Sequence, residues 1–284
     1  MRAAYVPLRA GIRHGLIELR QLFLDSHHVV VTLISTGIFF TAMLFTRGFA
    51  VPGTQFSLGV TMLPGVLGAN IGLNGIATMA GTLAVEREDG TLLRARTVPG
   101  GMVGYLVSKV VGLSCSIVIT AALTLGAGLA VFPELVIHGA RTWLTLAVVS
   151  LLGLAAALPV GMAVGPLLPN SHSFGLVMFP LCALAAVSGV FYPITRLPEA
   201  LQWIGEAFPM YWLGLGARSA LLPDAMAAVE IGGAWRLPAG VAVLVAWAVA
   251  GALIAPIMLR RMMRQESGSK LHARLEKAMQ RRVG

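Results

Sequence analysis

The chain has 284 residues, of which 57% are hydrophobic and only 12% are charged, about half the charged share of an ordinary soluble domain. This composition excludes a typical soluble globular protein and indicates a membrane protein with several spans. The formal net charge of +9 would also suit a nucleic-acid-binding protein, but the long apolar runs exclude nucleic acid as the main partner.

An amphipathic stretch occupies residues 7–27. Its apolar residues recur at spacings of three or four, as Leu8, Ile12, Leu16, Leu19 and Phe23. Basic side chains fall largely on the other face, and this pattern is typical of a helix that lies in the membrane interface. A helix packed on a soluble domain is the alternative, although the sequence offers no such domain.

Six apolar runs are long enough to be considered as spans. They cover 29–46, 58–85, 105–132, 142–165, 173–194 and 238–259. No small-residue cleavage site follows the first run, so we expect it to be retained as a span. The two cysteines, Cys115 and Cys182, lie inside apolar runs without metal-ligand spacing, and we expect both to pack between helices.

The distribution of lysine and arginine predicts the orientation. With the amino terminus in the cytoplasm, the inside segments hold 16 of these residues and the outside segments hold 5. The positive-inside rule therefore predicts both termini in the cytoplasm. The fold class is an all-α polytopic membrane protein with six spans. Segment 195–237 is then an outside loop with short helices, and 260–284 is a basic cytoplasmic tail.

The densest charge cluster, Glu86–Pro99, lies within the predicted loop 86–104 between the second and third spans. Each Asp, Lys or Arg at a bilayer centre costs roughly 2.5 to 3.5 kcal/mol, so the cluster must lie in water. A short helix between Gly90 and the Pro99-Gly100-Gly101 run could move as a lever. From charge alone, a solvated loop without a partner is an equal alternative.

The opening of this cluster, Glu-Arg-Glu-Asp-Gly-Thr-Leu at 86–92, resembles the E-R-E-x-G-T-L pattern of type-2 ABC (ATP-binding cassette) exporter permeases, with Pro99 at the expected distance. In that family this loop forms a coupling helix that contacts the ATP-binding subunit. The resemblance implies that role for Glu86, Arg87, Glu88, Gly90, Thr91, Leu92, Arg94 and Pro99.

A second resemblance to the same permeases lies at 188–218, where Ser-Gly-Val-Phe-Tyr-Pro is followed by Leu-Pro and then by a Pro-x-Tyr turn. In the family this segment joins the last two spans and contains short helices on the outer side. The resemblance implies an extracellular gate region that includes Pro193, Pro198, Glu206, Pro209 and Tyr211.

The span cores carry few polar residues. Asn70 and Asn74 lie one helical turn apart on the second span, and with Phe191 and Tyr192 they are our candidates for a substrate path. Hydrogen bonds between helices are the alternative role for the two asparagines. Lys109 lies near the end of a span, and no other charged residue or histidine falls in a span core, so a proton relay lacks its usual groups.

The sequence has no P-loop and no zinc-protease motif, so we predict neither a catalytic residue nor a metal or cofactor site on this chain. The resemblance implies that ATP and magnesium bind a separate ATP-binding cassette subunit. It also implies that the permease pairs with a second copy or a related permease in the lipid bilayer of the cell membrane.

The two resemblances, with spans in the same order, suggest the transmembrane subunit of an ATP-driven exporter. The nearest likeness is to the daunorubicin-resistance type, so we expect an amphiphilic drug, antibiotic or lipid to leave a bacterial cell. Two alternatives stay open: the same fold exporting lipid-linked polysaccharide, and a gradient-driven carrier or channel without an ATPase.

Overall fold

The computed structural model describes residues 2–51, 56–135, 137, 139–168 and 170–265. At 2–6, 27–28, 171–172, 263 and 265 it describes the backbone only. Within these ranges the chain is all-α, with no β-strand. The predicted tail from residue 266 onward lies outside the described residues.

Eleven α-helices lie in this part of the chain. They are α1 (Arg2–Leu24), α2 (Ser26–Phe45), α3 (Leu58–Ala69), α4 (Gly75–Glu88), α5 (Thr91–Thr97), α6 (Gly101–Val131), α7 (Ala140–Val164), α8 (Gly175–Val187), α9 (Glu199–Ala207), α10 (Pro209–Leu221) and α11 (Leu237–Gln265). A short π-helix, Asn70–Asn74, joins α3 to α4, so that the two form one rod.

Five helical segments in the described ranges have the length and hydropathy of a membrane span. They are Val29–Gly48, Leu58–Glu88, Gly101–Val131, Ala140–Leu167 and Leu237–Met262. Each overlaps one of the predicted apolar runs. The chain is therefore a multi-pass membrane protein built from helices.

The predicted span 173–194 differs from the structure. Its helix, α8, has 13 residues, or about 20 Å at 1.5 Å per residue, whereas a spanning helix needs about 20 residues. The chain leaves the helix at Ser188, and Gly189 follows with a left-handed φ of 64°. This turn corrects the predicted end of the run, and the count of six spans is not confirmed.

Helix α10 lies in the core, although the sequence placed it in an outside loop. Pro209 occupies its first turn, where a missing N–H costs nothing, and almost every residue after it is buried. It packs against α3, α7 and α11. A Cβ added to Gly68 would lie only 2.4 Å from the backbone nitrogen of Gly214, so glycine allows the backbones of α3 and α10 to touch.

Helix α1 packs along the first half of α6 through small residues. A Cβ at Gly11 would lie 2.5 Å from the carbonyl oxygen of Gly104, and one at Gly15 would lie 2.6 Å from that of Ser108. The apolar residues Leu8, Ile12, Leu16 and Phe23 stay exposed on another face. The interfacial-helix prediction for 7–27 thus corresponds to a helix with one glycine face on the protein and one apolar face available to lipid.

Candidate coupling segment and intramembrane cavity

The predicted short helix between the second and third spans is present as α5, and residues 86–99 are called the coupling segment below. Gly90 precedes α5 with φ 71°, and Gly100 precedes α6 with the same φ. Left-handed backbone is open to glycine at no steric cost. The two glycines therefore fix sharp turns at both ends of a seven-residue helix.

The inner face of the coupling segment is anchored in the bundle. Arg87 is buried and donates hydrogen bonds to the carbonyl oxygens of Leu168, at 2.6 Å, and Pro166, at 3.4 Å. Leu92 is only 4% exposed. Because Pro166 and Leu168 directly follow α7, these contacts tie the segment to the end of that helix.

The outer face of the coupling segment is exposed and carries both charge signs. Asp89, Arg94, Arg96 and Pro99 are exposed, and Arg94 donates to the carbonyl oxygen of Asp89 at 3.1 Å. Glu88 and Thr91 are half-buried. Among the residues that the family resemblance assigned to coupling, Arg94 and Pro99 face outward, whereas Glu86, Arg87 and Leu92 face the bundle.

Glu86 joins a charged triad with Glu18 and Lys109, which connects α4, α1 and α6. The Lys109 ammonium lies 3.0 Å from Glu18 Oε2 and 2.5 Å from Glu86 Oε1. Tyr105 donates its hydroxyl hydrogen to the second oxygen of Glu86, and Ser108 Oγ lies 3.5 Å from Glu18 Oε1. Sequence reasoning missed this triad because Glu18 and Lys109 are 91 positions apart.

A cavity of about 860 Å³ extends from the triad between α1, α2, α4, α6 and α8. One polar stripe follows the α3–α4 rod at four-residue spacing, which keeps side chains on one helix face: Asn70, Asn74, Thr78, Thr82 and Glu86. A second stripe on α6 consists of Lys109, Ser116, Thr120 and Thr124. The cavity therefore has two polar stripes along a wall that is otherwise largely apolar.

The π-helix brings both predicted asparagines to this cavity. Isolated π-turns of this kind occur frequently at functional sites. The Asn70 Oδ1 atom is buried and has no hydrogen-bond partner in the described part of the chain, whereas Asn74 is exposed. A hydrogen-bond acceptor is thus available at the far end of the stripe from the triad.

The two aromatic candidates for the substrate path, Phe191 and Tyr192, are not among the residues that line this cavity. Phe191 stacks on Phe39, with ring centres 6.2 Å apart, and Phe39 itself lines the cavity. Tyr192 borders a separate small pocket that contains Arg218. Cys182 is exposed and lines the main cavity, so it is not packed between helices as the sequence suggested.

A second buried charge pair lies at α10. The Arg218 Nε atom is 2.6 Å from Glu230 Oε1, both side chains are buried, and Arg218 also donates to the Gly189 carbonyl oxygen at 3.3 Å. Tyr211 donates its hydroxyl hydrogen to Glu230 at 3.3 Å. Burial, reinforced by the negative charge of Glu230, raises the pKa of the Tyr211 phenol, so it stays protonated as a donor.

The five predicted gate residues lie in different environments, and of these Tyr211 contacts the pair directly. Tyr211 and Pro209 are buried, Pro193 is half-buried and Pro198 is exposed just before α9. Glu206 forms an ion pair with Arg236. Across the described side chains, no group of three or more His, Cys, Asp or Glu residues is arranged to hold a metal ion.

The described helices and their cavity are those of a multi-pass helical membrane protein. Residues 48–251 match the family model described as ABC-2 family transporter protein. Because the match covers more than half of the chain, the protein belongs to this family and is the permease component of an ABC transporter. A comparison with curated proteins finds none that matches the chain.

Proposed function

We propose that this permease works with a separate ATP-binding subunit, which holds ATP and magnesium, and exports an amphiphilic cargo from a bacterial cell. In this proposal both termini and the coupling segment lie in the cytoplasm, and two permeases pair in the membrane. ATP binding moves the partner subunit, and the coupling segment passes that motion to α4 and α6.

The observation that carries the proposal is the two-sided coupling segment. Its inner residues, Arg87 and Leu92, are held by the bundle, whereas Asp89, Arg94 and Arg96 are exposed. A short rigid helix anchored on one side transmits force applied on the other, because its glycine turns join it directly to two spans.

The cavity supports a cargo of drug, antibiotic or lipid size. Ligand cavities for such molecules have volumes of about 300 to 1,000 Å³, and this cavity measures about 860 Å³. That size agrees with the daunorubicin-resistance type of exporter better than with a pathway for a long polysaccharide. Asn70 and Asn74 offer hydrogen bonds along the proposed path.

The coupling role is tested with the double variant Arg94→Glu and Arg96→Glu. Both arginines are exposed, so the fold should persist, but reversed charge should prevent capture of the ATP-binding subunit. The measurement is copurification of the two subunits, with ATP hydrolysis by the captured complex. Arg196→Glu is the matched control, since Arg196 is also exposed but lies just before α9.

We expect the double variant to capture at least tenfold less of the ATP-binding subunit, because like charges facing each other at an interface cost several kcal/mol. Arg196→Glu should capture as much as the unmodified permease. Full capture and unchanged ATP hydrolysis by the double variant would contradict the proposal that this face meets the ATPase.

A further inference from the structure

We infer that the cavity selects an amphiphile with a positively charged head, and that Glu18 on α1 is the carboxylate that receives this head. The inference rests on the proposed function, because it names the chemical class of cargo that enters the proposed path. The cargo would be a drug-sized organic cation with an apolar body, held at the charged end of the cavity.

The charge of the triad favours a cation. Two carboxylates, Glu18 and Glu86, share the single ammonium of Lys109, so the triad has a formal charge of −1. All three side chains line the cavity, and Asp25 lines it as well. No arginine is among the cavity-lining residues of the described chain. An anionic head would meet this excess of carboxylate, whereas a cationic head would neutralise it.

Of the two carboxylates in the triad, Glu18 has the oxygen that is better placed to bind a cationic head. Both oxygens of Glu86 are engaged, one by Lys109 and the other by Tyr105. Glu18 gives one oxygen to Lys109, but its Oε1 atom has only a long contact of 3.5 Å with Ser108. The Glu18 side chain is also 31% exposed, compared with 18% for Glu86. A carboxylate oxygen accepts up to two hydrogen bonds, so Glu18 can bind a second cation.

The remainder of the cavity suits an apolar body with a few polar groups. Apolar residues from five elements line it, namely Leu22, Phe39, Leu73, Leu113, Ile117 and Met178. From Glu86 to Asn70 the rod rises about 24 Å at 1.5 Å per residue. A molecule with its cation at Glu18 would therefore extend along the polar stripe of this rod toward the exposed amide of Asn74, where a polar group on the body could bind.

Labelling of Cys182 by a maleimide reports on occupancy, because this exposed thiol lines the cavity. The full-length permease with Cys115→Ala, in nanodiscs of zwitterionic lipid, is labelled in the presence of three diphenylhexatriene probes. One probe carries a trimethylammonium head, one carries no charged head, and one carries a propionate head. Probe concentrations are those measured in the bilayer, so that unequal partitioning does not enter the comparison.

We expect the trimethylammonium probe to protect Cys182 at about a tenfold lower concentration than the uncharged probe, since one unit charge near a partly buried carboxylate has an effect of this order. The propionate probe should need a higher concentration than either. Glu18→Gln removes one charge and leaves the Lys109–Glu86 pair and Asp25 in place, so it should reduce the preference severalfold. Glu134→Gln is the matched control, because Glu134 is an exposed carboxylate outside the cavity and should keep the preference.

Equal protection by the three probes would overturn the charge selectivity, while the proposed function would stand. A preference that Glu18→Gln leaves undiminished would overturn the role of Glu18. If none of the probes protects Cys182, the cavity does not bind such molecules and the inference fails. Capture of the ATP-binding subunit through Arg94 and Arg96 is measured independently, so failure here is distinguishable from failure of the coupling proposal.

Discussion

Arg218 and Glu230 keep two charges inside an apolar bundle by facing each other at 2.6 Å. Gly189 and Tyr211 supply further hydrogen bonds, so the guanidinium and the carboxylate both have partners. A buried pair of this kind need not add stability relative to apolar residues, but loss of one partner leaves an uncompensated buried charge. The fold therefore depends on the loop that carries Glu230 staying packed against α10.

Glu230→Gln should destabilise the permease by about 3 to 5 kcal/mol, because it leaves the Arg218 guanidinium buried without its counter-charge. Thermal unfolding of the detergent-purified protein measures the loss. Glu134→Gln is the control, since Glu134 pairs with Arg47 at 3.7 Å on an exposed surface, where such pairs contribute about 1 kcal/mol or less. Equal effects of the two variants would show that the α10 pair is not structurally important.

At the same scale, the sequence predicted which residues carry charge but not which charges meet. The run Glu86–Leu92 was recognisable as a unit because its members are adjacent. Glu18 and Lys109 meet only because α1 folds back along α6, and Arg218 and Glu230 were both assigned to an outside loop. Pairing between distant residues depends on helix packing, which local spacing does not encode.

The element that most shapes the charged end of the cavity is α1, which carries Glu18. Its approach to α6 depends on Gly11 and Gly15, since larger side chains would collide with the α6 backbone. Membrane helices associate through such small-residue faces because close packing replaces the hydrophobic driving force. The position of Glu18 therefore depends on two glycines that precede it in the helix, Gly11 by about two turns and Gly15 by about one turn.

Gly15→Ala should destabilise the protein by about 1 to 3 kcal/mol, because the new methyl group would overlap the Ser108 carbonyl oxygen and push α1 away. Gly37→Ala on α2 is the matched control, since an added Cβ there meets nothing within 4 Å. In that open position alanine gains up to about 1 kcal/mol of helix propensity. Thermal unfolding of both variants is the measurement, and a stabilising Gly15→Ala would contradict the close α1–α6 packing.

Elements were predicted well where one physical signal dominated. Long apolar runs marked the α2, α3–α4, α6, α7 and α11 segments, and glycine with proline marked the turns around α5. The prediction was wrong for α10. Its prolines and aromatic residues suggested part of an outside loop, whereas the helix is buried in the bundle. The prediction also overestimated α8, because the turn at Ser188 and Gly189 lies inside an otherwise apolar run.

At the scale of the whole molecule, the coupling segment joins the α3–α4 rod to α6, and both of these helices also line the cavity. Glu86 belongs to the coupling segment and also to the triad at the end of the cavity, so under the proposed mechanism a movement of α5 would displace the charged end. This shared residue links the proposed site of ATP-driven motion to the proposed cargo path. The family match, over residues 48–251, includes Glu86 and Lys109 and begins after Glu18.

ATP-driven transport is measured in inside-out membrane vesicles that contain the permease and its ATP-binding subunit, with the trimethylammonium probe as cargo. We expect the probe to accumulate only when ATP and both subunits are present. Gly90→Pro in the permease should abolish accumulation, since proline cannot adopt the left-handed φ of 71°. Accumulation that follows an ion gradient, or that persists without the ATP-binding subunit, would show that this permease is not an ATP-driven exporter.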